Sequence, residues 1–142
     1  MSGPRAALAA ILLAASAGSA ALASGCGSPP NDLFVVTRTG TVPGAALRML
    51  IADDGSASCN GHAARISDDE LLTARQLQRD LETPASNATV LAPGPQPVFT
   101  YSVRTPGGSL RFSDDSAGQP AVFYHLAAFV REVARQRCGL AR

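Results

Sequence analysis

Val98-Phe99-Thr100-Tyr101-Ser102-Val103-Arg104, then Thr105-Pro106-Gly107-Gly108, then Ser109-Leu110-Arg111-Phe112 is the stretch that decides the fold class. Its first segment alternates with period two. Phe99, Tyr101 and Val103 share one side; Thr100, Ser102 and Arg104 share the other. Successive side chains of a strand leave opposite faces, so this pattern marks a half-buried strand. The Pro-Gly-Gly turn reverses the chain. Leu110 and Phe112 then return to the apolar side with Arg111 opposite. An antiparallel hairpin with one dry face and one wet face is expected.

The segments upstream repeat the theme. Leu33 to Thr39 is β-branched and aromatic and reads as a strand. Ala45 to Ala52 alternates, with Leu47, Met49 and Ile51 on one side and Arg48 on the other. Asp53-Asp54-Gly55-Ser56 supplies turn chemistry, and a short third strand is expected from Ser56 to Cys59. Ser67 to Glu82 is predicted as a helix. Ser67 and Glu70 form a capping box, Ile66 and Leu71 a hydrophobic staple, and Leu71, Ala74, Leu77 and Leu81 an apolar stripe. Pro84 is expected to end it. Pro84 to Pro97 carries four prolines and little periodicity, and reads as a long stiffened loop. Pro120 suits the first position of a second helix, whose stripe is Val122, Leu126, Phe129, Val130 and Val133. The expected order is β-β-β-α-loop-β-β-α. The fold class is α+β: an antiparallel sheet of four to five strands with both helices on its apolar face.

The N-terminal stretch belongs to targeting. Met1 to Arg5 gives a short positive segment and Ala6 to Leu22 an apolar one, as in a secretory signal. Ala21-Leu22-Ala23 forms an A-x-A site that would release a chain starting at Ser24. Leu22-Ala23-Ser24-Gly25-Cys26 resembles the lipobox of bacterial lipoproteins, with Ala23 where Leu is usual. The three cysteines favour the second route. Lipid on Cys26 leaves Cys59 and Cys138 to pair, with no odd thiol in an oxidising compartment. The expected organisation is a signal peptide over 1–25, a tether over 26–32 and one α+β domain over 33–142. Cleavage at Cys26 leaves 117 of the 142 residues, enough for one core. The anchored chain is expected at the extracytoplasmic face of the cell membrane.

Charge bounds the partners. The chain holds 12 cations, all Arg, and 11 carboxylates. Removing Arg5 with the leader leaves 11 of each sign, which argues against a nucleic-acid binder driven by bulk electrostatics. Without Lys, Schiff-base and P-loop chemistry are excluded.

Few residues could carry catalysis. His62 and His125 are the two imidazoles, and either could serve a small hydrolase, although no G-x-S-x-G motif accompanies them. Cys59, His62, His125 and Cys138 could in principle hold zinc, but they lack C-x₂-C spacing. Pairing of Cys59 with Cys138 is the expectation, with no metal and no cofactor. The Asp53-Asp54, Asp68-Asp69 and Asp114-Asp115 pairs lack calcium-loop spacing and fall at turns, a helix start and a loop. Two candidate binding surfaces remain. Arg48, Arg104 and Arg111 share the outward parity of their strands. Val90 and Leu91 give the proline-rich loop an apolar tip without a period that would bury it. A non-catalytic binding module with a protein partner is the expected function, and a scaffold component of an envelope complex is a further option.

Some segments resemble the emfourin-like proteins, over about Phe34 to Arg137. They are Val36-Thr37-Arg38-Thr39-Gly40 with Val42-Pro43-Gly44, the helix at Asp69-Glu70-Leu71-Leu72, the Phe99–Phe112 hairpin and the helix at Pro120. The resemblance implies a small protein inhibitor of thermolysin-like metalloproteinases, acting by binding without catalysis. The lipobox, the two cysteines Cys59 and Cys138 and the proline-rich loop depart from that pattern.

Overall fold

The computed structural model describes residues 31–140. The leader, Cys26 and nearly all of the tether lie outside them. Six strands form one antiparallel sheet: β1 (Asp32–Gly40), β2 (Leu47–Ala52), β3 (Ser56–Cys59), β4 (His62–Arg65), β5 (Phe99–Thr105) and β6 (Gly108–Ser113). Their spatial order is β4-β3-β2-β1-β5-β6. Helices α1 (Asp68–Ser86) and α2 (Ala121–Gln136) lie on one face. The class is the expected α+β, with six strands where four to five were expected.

The extra strand is β4. Cys59 pairs with His62 across Asn60-Gly61, whose φ angles of 51° and 85° are both positive. Those are the angles of a type I′ turn, which matches the strand twist and favours Asn-Gly. Cys59 and His62, two of the four residues read as potential metal ligands, therefore flank a hairpin turn.

The core lies between sheet and helices. Phe34 and Val36 of β1, Met49 and Ile51 of β2, Tyr101 and Val103 of β5, and Leu110 and Phe112 of β6 are buried there. Phe123 of α2 stacks on Phe112 with centroids 4.5 Å apart, and Phe112 stacks on Tyr101 at 5.0 Å. Phe129 meets Phe34 edge-on at 6.2 Å. Offset stacking and edge contacts of this kind add about 0.5–1.5 kcal/mol each to the area they bury.

Two helix boundaries differ from expectation. The capping box of α1 forms as read, Ser67 Oγ accepting from Glu70 N–H and Glu70 Oε2 from Ser67 N–H at 2.6 Å. Pro84, however, lies inside α1 rather than beyond it. In the last turn its missing N–H costs one hydrogen bond, and the helix closes through Asn87 N–H to the Thr83 carbonyl at 3.1 Å. At α2, Pro120 is the N-cap rather than the first helical residue.

The proline-rich segment also differs. After α1 it runs along the outer edge of β6, where Val90 pairs with Arg111 as an isolated parallel bridge. Leu91 N–H donates to the Arg111 carbonyl and Arg111 N–H to the Thr89 carbonyl, both at 2.9 Å. Further on, the Asp115 carboxylate accepts from Gly94 and Gln96 N–H at 2.8 Å each. Asp114 accepts from Val98 N–H at 3.1 Å. The segment is fastened to β6 and covers its edge, a usual defence against edge-to-edge pairing.

Candidate binding surface

The face of the sheet turned away from the helices carries three rows of residues in register. The middle row runs Arg48, Thr37, Ser102, Arg111 across β2, β1, β5 and β6. Bridge partners point to the same face, so Val90 extends this row beyond Arg111. On one side lies the row Ala63, Ser58, Leu50, Val35, Arg104, Ser109. On the other lies Thr39, Thr100, Ser113. None of these positions carries a carboxylate.

Arg48, Arg104 and Arg111 are exposed, and none makes an ion pair among the described residues. Two shallow recesses flank Arg104. One, of about 520 Å³, is lined by Phe34, Val35 and Pro106 beside Asn31 and Asp32. The other, of about 210 Å³, lies between Thr37, Arg48, Ser102 and Ser109. Val35 and Arg104 border both. Val90, at the far end of the middle row, is 69% exposed.

Two candidates that were separate in sequence thus meet. Val90 stands beside Arg111 on the open face. Leu91 does not join it; the next residue along a strand takes the other side, and Leu91 packs against the core. Thr37, Ser102 and Val35 were not singled out in sequence, although strand parity alone places them beside the arginines. The register of residues 89–91 on β6 had no sequence signal.

The arginine pointing the other way is Arg38. It shares the inward parity of Phe34 and Val36 and is 0% exposed. Its Nε donates to the Ala45 carbonyl at 2.9 Å and Nη2 to the Gly44 carbonyl at 3.3 Å. Its guanidinium carbon sits 4.8 Å from the Phe99 ring centroid, within cation–π range. Burial lowers the Arg38 pKa against the opposing pull of Tyr101, with Arg131 lowering it further. Burial likewise raises the Tyr101 phenol above its usual value. This cluster is a core element that fixes the β1–β2 connection.

The imidazoles fall on different elements, His62 exposed on edge strand β4 and His125 exposed on α2. A recess of about 360 Å³ beside His62 is lined by Asn60, Arg137 and the two cysteines, without His125. Among the described residues no three of His, Cys, Asp and Glu cluster as metal ligands. Cys59 and Cys138 stand at disulfide distance, with Cα atoms 6.0 Å apart, inside the range a bridge requires. Next to them Arg137 pairs with Glu70 at 2.9 Å. Burial alone would raise the Glu70 pKa. Hydrogen bonds from Ser67 and the Arg137 charge outweigh it and hold the group below its usual value.

Family models, curated proteins and solved structures were each compared with the chain, and none matches.

Proposed function

We propose that this chain is a non-catalytic binding module of the cell envelope, lipid-anchored through Cys26, that holds a protein partner on its open sheet face. One observation carries the reading. The row Arg48, Thr37, Ser102, Arg111, Val90 gathers exposed cations and an exposed apolar side chain on one surface without a neutralising carboxylate. Fixed charges without internal partners are available to an incoming surface and speed its approach. The resemblance to emfourin-like inhibitors makes a metalloproteinase one candidate partner, testable by titrating the chain into a thermolysin-type assay.

Position-specific cross-linking tests the surface. A photo-reactive residue at Ser102, in the middle of the row, is expected to trap a discrete partner in intact envelopes. The same residue at Leu72, exposed on α1, is expected to trap none. Equal yields from both positions, or a product from Leu72 alone, would move the site to the helical side. His62→Ala with His125→Ala is expected to leave the cross-link intact.

A further inference from the structure

Resting on that reading of the open face, we infer that the partner presents an extended acidic segment with carboxylates about four residues apart and an apolar side chain just beyond them. The geometry of the middle row sets the spacing. Arg48 and Arg111 are three strands apart, with Thr37 and Ser102 between them. At the usual strand separation that is about 14 Å. An extended chain advances about 3.4 Å per residue, so two side chains four residues apart span the same distance. Laid across the strands, such a segment places one carboxylate on each guanidinium, and Arg takes carboxylates through paired N–H donors. Thr37 and Ser102 lie beneath its middle, where hydroxyls can donate to or accept from a peptide backbone.

The apolar features decide between classes of anion. Val90 is exposed one step past Arg111, about 5 Å further along the row. The recess by Arg104 has Phe34, Val35 and Pro106 among its walls, with Asn31 and Asp32 at one side. A phosphate polymer or a layer of lipid headgroups has nothing to place on either. A peptide does: one side chain beyond its second carboxylate reaches Val90, and a neighbouring one can enter the recess. Charge supplies approach and register, and apolar contact supplies residence.

The probe is a fluorescein-labelled peptide in a glycine-serine frame, with two glutamates four positions apart and a leucine two positions after the second. Four competitors accompany it: the unlabelled peptide, the same peptide with both glutamates changed to glutamine, inorganic polyphosphate, and phosphatidylglycerol vesicles. Anisotropy with the purified full chain is expected to show saturable binding that weakens with salt. Arg48→Gln with Arg111→Gln is expected to weaken it about tenfold. Val90→Ser is expected to weaken it less and to leave the salt dependence unchanged. Circular dichroism checks that the variants stay folded. All three side chains are exposed, so their loss should not disturb the core. Polyphosphate or vesicles displacing the probe more effectively than unlabelled peptide would overturn the inference, as would binding indifferent to the arginine substitutions. The envelope cross-link from Ser102 separates the two levels. Its persistence with no peptide binding refutes the acidic segment alone; its absence refutes the open face as a site.

Discussion

Arg38 shows where charge and strand parity give opposite answers. The series Phe34, Val36, Arg38 is inward by alternation, yet a cation is expected outward. Parity prevails because the core offers the guanidinium two backbone carbonyls and the Phe99 ring. The sequence held the alternation but not those partners, which arrive from the turn after β1 and from β5. The exposed arginines were legible for the opposite reason, since parity and charge agree at Arg48, Arg104 and Arg111. Removing the buried cation leaves its acceptors without a donor. Arg38→Met is therefore expected to cost about 2–4 kcal/mol of stability. Urea unfolding of the variant measures this. A single-variant loss under about 0.5 kcal/mol would mean that the carbonyls are satisfied without Arg38.

At the scale of elements, what was legible followed local chemistry. The capping box at Ser67 and Glu70 is complete within four residues and forms as read. The β5–β6 hairpin announces itself by alternation. Strand β4 was hidden because His62-Ala63-Ala64-Arg65 has neither β-branched residues nor alternation, and only Asn60-Gly61 marks it. The segment after α1 was hidden because its partners are distant in sequence. It is held by Asp115, about twenty positions downstream, rather than by any pattern of its own. Replacing residues 86–95 by a flexible linker would accordingly cost stability, whereas a free loop would be replaced at little cost. A sharper test is Asp115→Ala. It removes two charge-assisted hydrogen bonds and is expected to cost about 1–3 kcal/mol. It should also speed amide hydrogen exchange at Gly94, Gln96 and Leu91 ahead of the sheet. Unchanged exchange there would mean that the bridge to β6 alone fixes the segment.

The whole molecule joins a legible fold to a proposed address whose residues lie outside the described ones. Alternation and helix periodicity suffice for the α+β class, because both depend on nearest-neighbour geometry. The row Arg48, Thr37, Ser102, Arg111, Val90 did not follow from either, because it needs the register of five chain segments at once. The address rests on the N-terminal sequence and on cysteine arithmetic, and both can be read in one measurement. Asn31 is tied to the sheet, its carbonyl accepting the Asp53 N–H at 2.9 Å. Five residues from Cys26 to Asn31 span at most about 18 Å, so an anchored domain would stay close to the bilayer. Intact mass of the chain from the membrane fraction is expected to show a start at Cys26 with acyl groups added. It should also be two hydrogens lighter than the reduced form, through Cys59 and Cys138. Closing the loop between these two cysteines, 79 positions apart, would stabilise the domain by up to about 4.5 kcal/mol on the chain-entropy account. Cys26→Ala removes the acyl acceptor but leaves Ala21-Leu22-Ala23 for the general signal peptidase. That variant should appear in the medium, beginning at Ser24 and still carrying the linked pair. A wild-type product that begins at Ser24 without acyl mass would instead make this a freely secreted protein, and would leave Cys26 as an odd thiol to be explained.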